Sequence, residues 1–127
     1  MNGGVGMDLR KQIVDYCLTL PGAYEDYPFD DFNWTVMRHG YNKKAFALIF
    51  ERMGHIWVNV KCEPVKAEFL RSMYQSVVPA YHMNKTHWNS IILDGSVPED
   101  AVRAMIADSY ALIRPELRRD RNGEEKR

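Results

Sequence analysis

The residues best suited to chemistry or binding are concentrated in one polar and aromatic run, Tyr81-His82-Met83-Asn84-Lys85-Thr86-His87-Trp88. Imidazoles, a lysine and flat rings are the groups that contact phosphates and stack on bases. His82 and His87 are five residues apart, which places them on opposite faces of a strand and well apart around a helix. The run therefore predicts a binding surface rather than a histidine metal pair.

Other kinds of site lack their characteristic motifs. The chain has no Cys-x-x-Cys or His-x-x-x-His pair for a metal and no glycine-rich loop for a nucleotide cofactor. The acidic residues between Glu25 and Asp31 could bind a hard cation weakly, but a solvated loop is the simpler interpretation. An enzyme would have to depend on His82 or His87 as an acid–base group. We therefore expect no metal, no cofactor and no catalytic residue.

The composition is that of a small globular protein. Its 127 residues are 46% hydrophobic, which suffices for one core in one domain. The 17 basic and 17 acidic residues balance, which excludes a uniformly basic nucleic-acid binder but allows a local basic patch. Cys17 and Cys62 are predicted to be buried and reduced. The chain shows neither signal-peptide features nor an apolar stretch of about 20 residues, so we expect a cytoplasmic protein.

Helical periodicity predicts three helices. The first spans Asp8–Leu20 and ends at Pro21-Gly22. The second begins at Pro64, and its inward residues are predicted to be Phe69, Leu70, Met73 and Tyr74. The third begins near Ser96 and Glu99, which have capping-box spacing. Its buried stripe is predicted to consist of Val102, Met105, Ile106, Ser109, Tyr110 and Ile113.

Residue alternation and turn signals predict an antiparallel sheet. A three-stranded meander comprises Asn33–Arg38, Lys44–Phe50 and His55–Cys62, and Asn89–Leu93 adds a strand. The flanking segments are predicted to be an irregular lead-in at Tyr24–Phe32 and an edge or bend at Val77–Tyr81. The fold class is thus α+β in the order α-β-β-β-α-β-α, with the helices on one face of the sheet. Residues 8–115 form the domain, and residues 1–7 and 116–127 are predicted to be disordered.

The sheet face without helices is predicted to carry part of the binding surface. On the third strand, His55, Trp57, Asn59 and Lys61 alternate with apolar residues and should point away from the helices. An exposed tryptophan there requires a partner. The turn at residues 38–44 adds basic side chains. The structural alternative is that Trp57 and Trp88 pack on each other, or under the tail, and close the sheet.

The chain resembles the MmcQ/YjbR family from about residue 8 to residue 113. The resemblance rests on Leu20-Pro21-Gly22-Ala23, Lys44-Ala45-Phe46-Ala47-Leu48, Val58-Asn59-Val60-Lys61-Cys62-Glu63-Pro64 and, most specifically, the run that leads from Val78-Pro79-Ala80 through Trp88. A glycine is usual where this chain has Ala80. The family's fold is similar to that of the frataxin-like CyaY group. The resemblance implies an antiparallel sheet with helices on one side and DNA binding through a double-wing arrangement of the sheet. It does not imply frataxin-like iron binding, because the first helix is not acidic.

The leading hypothesis is therefore a non-enzymatic, DNA-binding protein that contacts double-stranded DNA. The residues proposed to contact phosphate are Lys61, Arg71 and Lys85, and those proposed to shape the surface are His82, Asn84, His87 and Trp88. The alternative is a small-ligand or protein-interaction module that uses the same patch. A third interpretation makes the run a hydrogen-bonded turn of the fold. No membrane partner is expected, and a monomer is favoured.

Overall fold

The computed structural model describes residues 5–115, 118–119 and 125–126, with side chains described from residue 8 to residue 115. The elements are α1 (Val5–Leu18), β1 (Ala23–Asp26), β2 (Thr35–His39), β3 (Ala45–Arg52), β4 (His55–Lys61), α2 (Pro64–Met73), β5 (Val77–Pro79), β6 (Trp88–Leu93), α3 (Glu99–Ile113), β7 (Arg118–Arg119) and β8 (Glu125–Lys126). Within the described ranges, no helix is long and apolar enough to cross a membrane. The disorder predicted for residues 1–7 and 116–127 falls mostly on residues outside the described set, and it stays a prediction.

Strands β1 to β6 form one antiparallel sheet in the order β1-β2-β3-β4-β6-β5. The predicted α+β class and antiparallel meander are thereby confirmed. Strand β1 was missed from the sequence because its aromatic and acidic residues do not alternate, yet it pairs with β2 from Ala23 opposite His39. The segment predicted to be an edge or a bend is the other edge strand, β5, which pairs with β6.

The three helices cover one face of the sheet, as predicted. From β4, Ile56, Val58 and Val60 point into this helix-side core and are at most 2% exposed. Helix α3 contributes all six residues of its predicted stripe, each of them buried. Because alternate strand residues point to opposite faces, the helix-side core accounts for only half of the strand positions. Helix α1 begins at Val5, earlier than the predicted start at Asp8.

Helix α2 packs differently from the prediction. Phe69 and Met73, expected to face inward, are 55% and 53% exposed, and Ala67 is its one buried residue within the described side chains. The other two residues expected to face inward, Leu70 and Tyr74, are partly buried against the core, as predicted. The helix lies beside β5, the edge strand, and β6, its neighbour in the sheet. The apolar spacing alone could not show that the helix lies at the edge of the sheet, where Phe69 and Met73 meet solvent.

A β-bulge interrupts the pairing of β2 with β3. Met37 pairs with Ala47 and Arg38 with Ala45, which leaves Phe46 as an extra residue in β3. Phe46 therefore joins Ala47 in the helix-side core, whereas strict alternation along β3 would put it on the other face with Leu48 and Phe50. Ser109 of α3, which is fully buried, accepts a hydrogen bond from the Lys61 amide at 2.8 Å and donates one to the Phe46 carbonyl at 2.6 Å. One hydroxyl thus satisfies backbone groups of two strands.

The predicted capping box of the third helix does not form. Pro98 is the N-cap of α3 and makes no side-chain capping bond. The Ser96 side chain instead bonds to Asp94, and both Ser96 and Ser76 hold that carboxylate. The hydroxyl of Ser96 therefore stabilises the turn before the helix rather than the helix end. These hydrogen bonds, led by the one from Ser76, lower the pKa of Asp94 to about 2.

Removing the Ser109 hydroxyl should destabilise the fold. We expect Ser109→Ala to lower the free energy of unfolding by about 2–4 kcal/mol, because it leaves a buried amide and a buried carbonyl without this partner. Urea denaturation measures the change. Ser72→Ala is the matched control, since the exposed Ser72 hydroxyl bonds only to the Phe69 carbonyl of its own helix. A Ser109→Ala variant as stable as Ser72→Ala would contradict the proposed bridge.

The Asp94 turn should make stability depend on pH in the acid range. A pKa below the ordinary 3.8 means that the carboxylate stabilises the fold above about pH 4 and loses that contribution as the pH falls toward 2. We expect the unfolding free energy to fall more steeply over this interval in the parent protein than in Asp94→Asn. Urea titrations at each pH provide the test. Ser76→Ala, which removes the strongest donor, should lie between the two, whereas parallel curves for all three proteins would contradict the assignment.

Candidate functional site

A buried polar trio holds the chain against the sheet face opposite the helices. Asn59 of β4 and Ser90 of β6 are paired across the strands, and both are fully buried. Ser90 donates to the Asn59 side-chain oxygen, Asn59 donates to the Tyr81 carbonyl at 2.9 Å, and the Tyr81 amide donates to Ser90 at 2.9 Å. The two side chains thereby hold both backbone polar groups of Tyr81. The segment that follows β5 must fold over this face.

Tyr81 completes an aromatic layer on the same face. Trp34 stacks on Phe50 with ring centroids 4.1 Å apart, and the Tyr81 ring packs against Phe50 at 5.8 Å and Trp57 at 6.2 Å. The Arg52 guanidinium lies 4.8 Å from the centroid of Trp57 and 4.3 Å from that of Tyr81. Cation–π contacts of this kind add to the packing energy. The face is therefore closed by rings rather than open.

The prediction that Trp57 and Asn59 form part of an open binding surface is therefore wrong. Both lie on the predicted face, but Trp57 is only 8% exposed and Asn59 is fully buried, so neither presents a free surface. The indole N–H of Trp57 donates to the Arg52 carbonyl at 3.0 Å. Trp57 packs on Phe50 and Tyr81, whereas the structural alternative had paired it with Trp88. The regular alternation of β4 located these side chains correctly but could not reveal that a distant loop covers them.

The run from His82 to Trp88 closes back onto the end of β4. Asn84 accepts hydrogen bonds from the amides of Thr86 and His87, at 2.9 and 3.2 Å. The His87 carbonyl accepts one from the Cys62 amide at 2.8 Å. His82 has a left-handed backbone with φ of 61° and places its ring 4.1 Å from that of Tyr81. Asn84 and His82 thus shape the loop, and His87 ends next to the strand that carries Lys61.

Five of the predicted site residues lie in this loop or at the start of β6, which follows it: His82, Asn84, Lys85, His87 and Trp88. A sixth, Lys61, lies on the neighbouring strand β4. Lys61 pairs with Trp88 across β4 and β6, on the face away from the helices. Lys85 is exposed and lies two residues before His87, so their Cα atoms are within about 7 Å of each other. Among the described residues, neither lysine side chain has a hydrogen bond or an ion pair. We call Lys61, Lys85, His82, Asn84, His87 and Trp88 the basic–aromatic patch.

Arg71 is the predicted site residue that the structure does not bring to this patch. It lies on α2 and donates to the Asn89 side chain at 2.7 Å, while Asn89 donates to the Ala67 carbonyl at 3.2 Å. Asn89 follows Trp88 in β6 and therefore points to the opposite, helix-covered face. Arg71 connects α2 to the sheet, and its guanidinium is held on the other side of the sheet from Lys61.

The turn at residues 38–44 contributes fewer free cations than its sequence indicated. Arg38 pairs with Asp26 at 2.7 Å, and its guanidinium also donates to the Lys43 carbonyl. His39 is buried, and its Nδ1 accepts a hydrogen bond from the Tyr41 amide at 3.0 Å. Lys43 and Lys44 remain exposed at the end of the sheet where Lys61 also lies.

Arg52 and Trp34 are the structurally important residues that the sequence analysis left unassigned. Arg52 lies two residues after Phe50 in β3 and therefore on the same face of the sheet. A predicted strand that continued past Phe50 would have placed Arg52 beside Trp57. Trp34 precedes β2 and carried no periodic signal. Its position depends on stacking against Phe50 of β3, a contact between residues that are distant in the sequence.

The two cysteines and the acidic residues from Glu25 to Asp31 lie outside the patch and are not arranged as a reactive site. Burial raises the pKa of the Cys17 thiol to about 12, and desolvation also raises the pKa of Cys62, so both stay protonated near neutral pH. Both cysteines are buried and free. In the acidic loop, Glu25 accepts from the Tyr27 hydroxyl and Asp31 from the Asn33 amide. Within the described residues, no group of three potential ligands could hold a metal ion.

Breaking the polar trio should disrupt the patch. We expect Asn59→Ala to lower the free energy of unfolding by about 2–4 kcal/mol, because the Tyr81 carbonyl and the Ser90 hydroxyl lose a buried partner. Urea denaturation gives the magnitude. Tryptophan emission should shift as well, since Trp34 and Trp57 pack on Tyr81. Asn84→Ala, which affects only exposed loop amides, is the control and should cost less than about 1 kcal/mol. Equal losses in the two variants would contradict the role assigned to the trio.

Comparison with known proteins places this architecture in a family. The family model described as YjbR matches residues 18–112. The chain is 31% identical over 100 residues to the uncharacterized protein YjbR of Escherichia coli K12, covering 79% of this chain and 82% of that one. It is 32% identical over 116 residues to the uncharacterized protein YyaQ of Bacillus subtilis, covering 83% and 98%.

Solved structures show the same fold. A crystal structure of a Pseudomonas syringae protein matches with a TM-score of 0.74 at 31% identity, covering 83% of this chain and 98% of that chain. A Deinococcus radiodurans crystal structure matches with a TM-score of 0.73 at 33% identity, covering 82% and 77%.

Proposed function

The chain belongs to the YjbR family, and from that premise and the geometry of the basic–aromatic patch we propose that it binds double-stranded DNA. The proposed activity is binding without catalysis, by a cytoplasmic monomer. The resemblance seen in the sequence implies DNA binding, and the patch supplies the chemistry for it. The observation that carries the proposal is that the side chains of Lys61 and Lys85 form no ion pair among the described residues. Lys61 lies opposite Trp88 on the sheet face away from the helices, and the exposed Lys85 lies three residues before Trp88 in the loop.

The local charge supports an anionic partner despite the neutral whole. From Tyr81 to Trp88 the sequence contains no aspartate or glutamate, and it contains His82, Lys85 and His87. Elsewhere, several basic side chains form ion pairs with carboxylates, as in Lys11–Asp15 and Lys66–Asp108. A lysine without an ion pair can neutralise a phosphate and release its counterions without first losing a protein partner.

The geometry of the basic–aromatic patch favours contact with the phosphate backbone of DNA over binding of a small ligand in a pocket. The rings near the patch, Trp34, Trp57 and Tyr81, are already stacked on one another or on Phe50. A ligand in the same place would have to displace that packing, whereas the exposed Lys85 can reach a phosphate with no rearrangement. We therefore assign Lys61 and Lys85 to phosphate contact and His82, His87 and Trp88 to the shape of the surface. Asn84 holds the loop in position.

Duplex titrations at several salt concentrations test the proposal. We expect binding at low salt that weakens steeply between about 50 and 200 mM, as counterion release requires. Lys61→Ala and Lys85→Ala should each weaken binding to all sequences alike and reduce the salt slope by about 0.9. Fluorescence anisotropy of a labelled duplex gives both quantities. Lys11→Ala is the matched control, because it removes the same charge from α1 on the helix side.

Three outcomes would overturn DNA binding through the patch, and a fourth would overturn the double-stranded class. The first is the absence of binding to any duplex at low salt. The second is an equal loss of affinity in Lys11→Ala and Lys85→Ala, which would remove the patch from the interaction. The third is a Lys85→Ala variant with a lower unfolding free energy and unchanged affinity, which would make the loop a structural turn only. Tighter binding to a single strand than to a duplex would reject the double-stranded class.

A further inference from the structure

A cavity of about 770 Å³ lies on the helix side of the sheet, at the end where β3 turns into β4. It opens between α1 and α3. Along β4 it adjoins His55 and Ile56, whereas the basic–aromatic patch contains Lys61, so about 20 Å of strand separates the two regions. The cavity is therefore independent of the proposed DNA-binding surface, and its volume is typical of sites that bind small molecules.

The walls of this cavity are mainly apolar. They are contributed by α1, by the ends of β4 and β6, and by the start of α3, through Leu9, Ile13, Ile56, Leu93, Val97 and Val102. An apolar body placed among these side chains would be removed from water, which stabilises the complex in proportion to the apolar surface buried.

The charged groups at its rim are predominantly acidic. The lining residues include three carboxylates, those of Glu51, Asp94 and Glu99, one guanidinium, that of Arg103, and the imidazole of His55. Arg103 pairs with Glu99 at 2.7 Å and lies 5.4 Å from the Tyr16 ring centroid, so its charge already has partners. Arg10 offsets Glu51 electrostatically, but its hydrogen bonds go to neutral groups of Asn33, Thr35 and Ile49. A negative rim above an apolar interior remains.

We propose that this cavity binds a small amphipathic cation, with an apolar body among the α1 and α3 side chains and an amine head near Glu51 and Asp94. The carboxylate of Asp94 is held ionised by the hydroxyls of Ser76 and Ser96. The carboxylate of Glu51 accepts no hydrogen bond within residues 8–115. An anionic head would meet these two charges and be repelled, and a neutral head would gain nothing from them.

Three probes with the same tail and different heads test the charge. Decylamine, decanol and decanoate, each below its micellar concentration, are titrated into the full-length protein by calorimetry and thermal unfolding. Decylamine should bind saturably at one site and raise Tm, decanol should bind more weakly, and decanoate should not bind. Equal binding of the three probes, or no binding of decylamine, would overturn the proposal.

Two variants test the location. Glu51→Gln should weaken decylamine about threefold and leave decanol unchanged. Glu68→Gln is the matched control, since it removes an exposed carboxylate from α2 and should change neither. Val102→Trp should fill the cavity and weaken both probes more than about tenfold. If decylamine binds a folded Val102→Trp protein as tightly as the parent, or if Glu68→Gln matches Glu51→Gln, the ligand lies elsewhere.

Discussion

The hydrogen-bonded trio of Asn59, Ser90 and Tyr81 is the interaction on which the candidate site depends. Two polar side chains in the middle of a sheet would be costly if left unpaired, and a loop backbone supplies their partners. That requirement brings Tyr81 over the sheet, and the Tyr81 ring then packs with Phe50 and Trp57. The geometry from His82 to Trp88 follows from that anchor.

The two faces of the sheet are covered by different parts of the chain. One face packs against α1 and α3 and holds the apolar core, with Ser109 joining β3 to β4 at the bulge. The other is covered by aromatic rings and a loop, and charge is presented there by the loop, by Lys61 and by Arg52 over the rings. The cavity between α1 and α3 lies on the first face and the basic–aromatic patch on the second. A change at one of these regions can therefore leave the other intact.

Much of the fold followed from local patterns. The alternation in β4 and the stripe of α3 were confirmed residue by residue, because each of these elements is packed along its whole length against one neighbour layer. The failures have different causes. Phe69 and Met73 are apolar at helical spacing but lie on a helix at the sheet edge, a position that depends on the tertiary arrangement. Ser96 has the spacing of a capping residue, but the nearby carboxylate of Asp94 takes its hydrogen bond instead.

Local patterns in the sequence were enough to establish the fold class, the family, the two faces of β4 and the concentration of polar and aromatic residues at Tyr81–Trp88. Those properties depend on periodicity and on short motifs, which a linear chain displays. Which of those residues are accessible depends on how the elements pack in three dimensions. The tertiary structure buried Trp57 and Asn59 beneath Tyr81, held Arg71 on the opposite side of the sheet from Lys61, and left Lys61 and Lys85 without partners among the described residues. Exposure and pairing depend on the other elements that reach a side chain, and the chain order does not show which elements those are.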